Sequence, residues 1–268
     1  AKQSCHVGDS QRQWLKSLYV RRTRPSLLLV GRTYLVFGLA SSRLVSSLED
    51  WRAGYKLNMC LIKQRAKNPS QKALRRQHIL DATRKYFNLL CYEDVNLNHV
   101  ASEVGITKAA LYRYFRNKET LFLALFVEAL EELVESAEQE IHHESLAQVI
   151  TNTLIENPTY CKLSAILHTI LERNLTHEEA SEFKHTLLAL TARYAKLLSS
   201  HSEFEFEGDL TRAIAMLMQI QQALIGVWHM THPVGAIAKV IETAPLGVFQ
   251  QDFAESLRLH IEKLVVAL

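Results

Sequence analysis

The sequence predicts an all-α protein: a three-helix helix-turn-helix head joined to a larger helical body. Three observations predict it. From about residue 70 onward, apolar residues recur at three- and four-residue spacing. Helix-capping side chains and helix-ending glycines punctuate those runs. The chain is also 48% hydrophobic with nine glycines and five prolines in 268 residues, a composition suited to a packed, mostly helical protein.

The first helix spans about 70–90, where Ala73/Leu74, Ile79/Leu80, Ala82, Tyr86/Phe87 and Leu90 repeat at helical spacing. Asn96 then stands before "LNHVASEV", its side-chain oxygen suited to accept the orphan backbone N–H groups of a second helix over 97–103. Gly105 supplies the tight conformation that ends this helix, and the Thr107 hydroxyl caps a third running to about Phe115. Val100, Ala101, Val104, Ile106, Leu111 and Phe115 form the expected shared core, with Ala101 small where the two helices cross. Asn117 caps a fourth helix over 117–142 that links head to body. Body helices follow at about 145–156, at 158–173 with Pro158 in the first turn, and at 177–200 behind the capping box Thr176-His-Glu-Glu179. The last two are expected at 209–230 after Gly208-Asp209 and at 249–266.

Charge is strongly asymmetric beneath a net value of +3. Residues 1–78 carry 16 Lys and Arg against three acids, or +13, leaving −10 on the remainder. A basic end on an acidic body points to an anionic polymer or surface as partner. The run after Arg21-Arg22-Thr-Arg24 superficially resembles a signal peptide. Gly31 and Arg32 interrupt it, and its apolar pieces fall far short of the roughly 20 residues of a membrane span. Residues 1–58 lack a sustained period and Met59 is the first methionine. Residues 1–69 therefore read as a poorly ordered basic extension, with 1–58 arising from an upstream start assignment. Cys5, Cys60, Cys91 and Cys161 form no CxxC pair and suggest neither a zinc ribbon nor a disulfide framework, which suits a reducing cytoplasm.

"GITKAALYRYFRNKETL", residues 105–121, concentrates two tyrosines, two arginines and two lysines around small alanines. Singly, such tyrosines suit a half-buried core and such cations a solvated surface; together they describe a helix that reads a groove between groups that grip its backbone. A third helix of about nine residues spans roughly 13 Å, matched to a major groove about 12 Å wide. Thr107, Lys108, Ala109 and Ala110 would face base edges, and Tyr112 and Tyr114 would donate to phosphate. Lys118, in the first turn of the fourth helix, would join the helix dipole at one anion. With the Asn96 cap, the expected DNA-facing set is Asn96, Thr107, Lys108, Ala109, Ala110, Tyr112, Tyr114 and Lys118.

Residues 75–125 resemble the TetR family of bacterial transcriptional regulators, whose heads carry "TKxxLYxYF" and an "NKExL" start to the fourth helix. Cys91 stands where the family usually has glycine, and Asn96 replaces a more frequent Thr or Ser cap. The resemblance implies DNA contacts at Thr107, Lys108, Tyr112, Tyr114 and Lys118. It also implies a fourth helix that transmits movement like a pendulum and a homodimer paired through the two long C-terminal helices. On that division 70–125 is a helix-turn-helix DNA-binding domain and 126–268 a helical ligand-binding and dimerisation domain.

A ligand pocket is expected among the helices from 145 to 230. Tyr160, Leu163, Leu167, Met216, Ile220 and Trp228 offer an apolar, partly polar lining, although the same spacing suits plain core. His142-His143-Glu144 and the separated His168, His177 and His185 lack metal-ligand spacing, and no phosphate loop, nucleophile elbow or catalytic Cys/His signature is present. The reading is a dimeric, sequence-specific repressor bound to a palindromic operator of double-stranded DNA. A small-molecule effector would release it, without cofactor, metal or membrane. The rival readings are an α-helical enzyme or metal-binding protein with an incidental basic end, and a membrane-surface protein.

Overall fold

The computed structural model describes residues 68–204 and 208–266; the reading of the basic extension lies almost wholly outside them. The described residues are helical, with no strand among them. In chain order they form α1 (Pro69–Leu89), α2 (Leu97–Glu103), α3 (Lys108–Leu111), α4 (Lys118–Glu140), α5 (Leu146–Glu156), α6 (Pro158–Ile166), α7 (His177–Ser199), α8 (Leu210–Thr231), α9 (Gly235–Val240) and α10 (Phe253–Val266).

Local chemistry sets the boundaries. The Gln71 amide donates to Asn68 Oδ1 at 2.8 Å, and Pro69 occupies the first turn of α1, where a missing N–H costs nothing. Asn96, Thr107, Asn117, Ser145, Thr176 and Asp209 each accept a backbone N–H of the helix that follows. Gly105 sits at φ +70°, and beside it the Ile106 amide donates to the Ala101 carbonyl at 2.9 Å. This six-to-one bond closes α2 in a Schellman turn, which the left-handed glycine permits.

Three elements differ from the sequence expectation. Helix α3 ends at Leu111; the chain tightens to i→i+3 bonds from Arg113 to Ala110 and from Tyr114 to Leu111 before Phe115. The helix expected over 158–173 is interrupted by a π turn at Leu167–Leu171, closed by Glu172 N–H donating to the Leu167 carbonyl. The extra residue keeps Leu167 and Leu171 both buried while His168 faces out. Finally, α9 and a 3₁₀ turn at Leu246–Phe249 lie before α10, which starts at Phe253 instead of 249, where Asp252 Oδ1 accepts the Glu255 amide.

Helix α4 carries one continuous core from end to end. Phe122 meets Phe87 and Tyr92 edge-on, with ring centroids 5.1 and 4.8 Å apart. One turn later Phe126 meets Tyr160 at 5.3 Å and Phe183 at 6.1 Å. Truncating a buried phenylalanine such as Phe122 typically costs about 3–5 kcal/mol, so α4 cannot shift relative to the head without a large loss. Helix α8 alone among the described residues has the length and apolarity of a membrane span, and it packs against α6, α7 and α10. That packing accounts for its apolar face as protein core and surface.

Candidate nucleic-acid interface and effector cavity

The head presents its short third helix outward. Thr107, Lys108 and Ala109 are exposed and Ala110 half-buried, while Leu111 on the opposite side is fully buried. Leu111, Val100 and Ala101 fix the helix from behind, which leaves its first turn free to approach a groove. Tyr112 is exposed beside Lys108, whose Nζ lies 5.8 Å from the ring centroid; Tyr114 is half-buried against the core. Asn96 is exposed but its side chain is committed to the Asn98 amide at 2.9 Å.

Lys118 faces inward more than the sequence suggests. Its Nζ donates to the Tyr92 carbonyl, reaches the Glu93 carbonyl at 3.4 Å, and stands 4.3 Å from the Tyr92 ring. Burial pulls its pKa down, against the opposing pull of Glu93, Glu119 and Asp94. The ammonium therefore pins the turn between α1 and α2 as well as lying in the first turn of α4.

Two further cations, to which the sequence assigned no role, join head to body. Arg116 clamps Glu179 in a fork, Nε to Oε1 at 2.7 Å and a terminal nitrogen to Oε2 at 2.6 Å, and donates to the Asn174 carbonyl at 2.7 Å. The same Glu179 carboxylate accepts the Thr176 amide at 2.9 Å, so the cap of α7 and the turn after α3 share one group. Lys162, on α6, donates to the Phe87 and Leu90 carbonyls at 2.6 and 2.8 Å, where α1 ends. These pairs are 63 and 75 residues apart, a separation at which no sequence pattern signals them.

Inside the body lies a cavity of about 170 Å³ between α4, α5, α6 with its π turn, α7 and α8. Tyr160, Leu167 and Ile220 of the expected lining border it. Leu163, Met216 and Trp228 do not: Leu163 and Met216 are buried core, and Trp228 stacks on His232 at 3.9 Å and meets Phe253 edge-on at 5.4 Å. Helical periodicity identified their buried faces but not which neighbour each would meet. Phe126, Leu130, Leu154, Leu187 and Tyr194 complete much of the apolar wall.

His142 and His143 border a surface cleft with His201. The ring nitrogens of His201 face the Glu144 carbonyl and accept the Glu203 amide. No group of three or more metal-ligating side chains is assembled among the described residues.

Comparison with known proteins decides the family. The profile described as "Tetracyclin repressor-like, C-terminal domain" matches residues 122–265, and that of "Bacterial regulatory proteins, tetR family" matches 79–125. The chain belongs to the TetR family. It is a TetR-family transcriptional regulator, with a helix-turn-helix DNA-binding region. An HTH-type transcriptional repressor of Mycobacterium tuberculosis, Rv1474c, is 32% identical over 68 residues, which is 25% of this chain and 36% of that protein. The fatty acid metabolism regulator protein of Bacillus subtilis is 27% identical over 78 residues, 29% of this chain and 40% of that protein. Matched segments thus span well under half of these curated relatives. Among solved structures, a TetR-family regulator from Mesorhizobium loti has a TM-score of 0.47 at 14% identity, covering 75% of this chain and 98% of its own. FadR from Bacillus subtilis, in complex with stearoyl-CoA, has a TM-score of 0.46 at 18% identity, covering 72% of this chain and 98% of its own.

Proposed function

We propose that this TetR-family regulator acts as a homodimeric repressor that reads a palindromic operator through Thr107, Lys108, Ala109 and Ala110 and is released when a small molecule fills the body cavity. On this reading residues 70–125 form the DNA-binding domain, residues 126–268 the ligand-binding and dimerisation domain. Tyr112, Tyr114 and Lys118 position the phosphate backbone, with Asn96 ordering the start of α2. The observation that carries it is the exposed first turn of α3 held from behind by a fully buried Leu111.

Pairing through α8 and α10 has its support in apolar side chains left in solvent on these helices, Leu210, Met218, Met230 and Leu259. A two-fold pair presents its heads to successive major grooves, about 34–36 Å apart. Met218 also borders the cavity, so a ligand there touches the wall behind the pairing face. To release DNA, the ligand must bind the DNA-incompetent arrangement more tightly, and DNA must weaken ligand binding by the same factor.

The test is selection of random duplexes by the full chain at moderate salt, followed by sequencing of what is retained. A recovered palindrome with half-sites one helical turn apart is expected. Retention without enrichment, governed by salt alone, would overturn sequence-specific recognition.

A further inference from the structure

The cavity's size, its paired charges and one free amide together narrow what enters it. At about 170 Å³ it is close to the engineered cavity of about 150 Å³, walled by Leu, Ile and Phe, that holds a single benzene ring in another protein. It is smaller than the roughly 300–1,000 Å³ of sites for drug-sized ligands. One small ring fits it.

The charges bordering the cavity are already matched. Lys184 and His168 stand at its mouth, where both side chains are 53% exposed. Glu172 meets both, at 2.7 Å from Lys184 Nζ and 3.1 Å from His168 Nδ1. The deeper wall is apolar, built from Phe126, Leu130, Ile150, Leu154, Leu167 and Ile220. A carboxylate drawn in from water would lose its hydration against that wall, and among the described residues lining the cavity no cation is left unpaired to receive it. An uncharged ligand escapes that cost.

Gln221 on α8 supplies the polar contact. The Tyr160 hydroxyl donates to Gln221 Oε1 at 2.9 Å, and both residues border the cavity, so this bond sets the amide in the wall between α6 and α8. With its oxygen so used, the amide keeps two N–H groups on Nε2, and neither meets an acceptor among the described residues. Gln221 is half-buried and its nitrogen lies open, whereas the Tyr194 hydroxyl is sealed in the core beside Thr153 and Glu140. A ligand oxygen can therefore accept from Gln221 without breaking any internal bond. A pure hydrocarbon would cover those N–H groups and leave them unsatisfied.

We infer that the effector is a compact, uncharged molecule with a hydrogen-bond-accepting oxygen, a cyclic ketone in the simplest case, whose ring fills the apolar cavity and whose oxygen accepts from Gln221 Nε2. This rests on reading the cavity as the effector site, and the experiment separates the two. Full-length protein is titrated calorimetrically with cyclohexanone, its hydrocarbon isostere methylenecyclohexane, and cyclopentanecarboxylate. Wild type should bind the ketone saturably and the carboxylate about tenfold more weakly or less. Tyr160→Phe keeps the amide and should keep the ketone's affinity. Adding Gln221→Met to it removes the N–H groups without stranding the Tyr160 hydroxyl, and should weaken the ketone about fivefold while leaving methylenecyclohexane unchanged. Leu154→Phe, which fills the cavity, should abolish binding of ketone and hydrocarbon alike. The infrared C=O stretch of bound cyclohexanone should lie below its position in hydrocarbon solvent, as for any hydrogen-bonded carbonyl, and return there in the double variant. A stretch at the hydrocarbon position in wild type, equal losses of ketone and hydrocarbon in the double variant, a preference for the carboxylate, or full ketone affinity in Leu154→Phe overturns the proposal. If a variant fails to fold, the wild-type spectrum and the ratio of ketone to carboxylate decide alone. The same preparations are tested on the selected duplexes. A retained palindrome without ketone binding overturns the ligand class and leaves the regulator standing. Ketone binding that leaves operator affinity unchanged overturns the effector role.

Discussion

Replacing Lys162 with methionine removes one ammonium from the seam between α6 and the head while keeping most of the apolar stem. Nζ donates to the carbonyls of Phe87 and Leu90 at 2.6 and 2.8 Å and lies 4.4 Å from the Phe87 ring. These carbonyls close the C-terminus of α1, where no following turn supplies amides and the helix dipole favours a cation. A hydrogen bond to a charged group contributes about 1.5–3 kcal/mol. The two here share one half-buried ammonium, so the joint loss is nearer one strong bond than two, about 2–3 kcal/mol. At about 2–4 °C per kcal/mol for a chain of this size, Tm should fall by about 4–12 °C. Calorimetry on the full chain reads this directly. A fall below about 2 °C would show that water satisfies those carbonyls equally well and that Lys162 does not tie α6 to α1.

Other perturbations separate anchoring from reading. Thr107→Val removes the hydroxyl that accepts the Ala110 amide at 3.1 Å and should alter the selected sequence as well as lower affinity; an unchanged consensus from duplex selection would remove Thr107 from base readout. Lys118→Ala should weaken binding to all sequences, reduce the salt slope by about one, and also lower Tm through loss of the Tyr92 and Glu93 contacts; a shift in sequence preference would contradict its backbone role. Arg116→Ala should speed amide exchange at 117–121 and 174–179 without changing the salt slope, because its charge is committed to Glu179; exchange confined to one segment would deny the tie. Burial works to raise the Glu172 pKa, but hydrogen bonds from Lys184 and His168 more than offset it and hold it below 4.5. A depressed carboxylate stabilises the fold above its unfolded pKa and loses that contribution as pH falls through the folded one. The Tm difference between wild type and Glu172→Gln should therefore be present at neutral pH and vanish well below about pH 4; a gap that persists in acid would contradict the pairing.

What the sequence made legible was local. Asn96, Thr107, Asn117 and Thr176 cap helices because a side-chain oxygen reaches amides two or three residues ahead, a relation written in the sequence itself. Gly105 ends α2 for an equally local reason. The π turn at Leu167–Leu171 was not legible, because it depends on which of two registers buries both leucines against α4. The cavity lining was partly legible. Periodicity marks Leu163, Leu167, Met216 and Ile220 alike as inward-facing, and only the packing of α6 and α8 decides that Leu167 and Ile220 reach the void. Arg116 was visible within "YFRNKE" yet silent, since its partner lies on a helix whose position no local rule supplies.

On the proposed function, these long-range pairs give a cavity far from α3 a route to it. Helix α6 and its π turn contribute Leu167 to the cavity and, through Lys162, hold the end of α1. Helix α7 contributes Leu187, Thr191 and Tyr194 and, through Glu179 at its start, holds Arg116 in the turn after α3. The head is thus gripped at two points by two of the helices that wall the cavity, one grip behind α1 and one beside α3. A ligand that pushed α6 and α7 together would carry the head as a unit and leave its orientation unchanged. One that separated them would move the two grips in different directions and turn α3, which is the motion a groove-reading helix tolerates least.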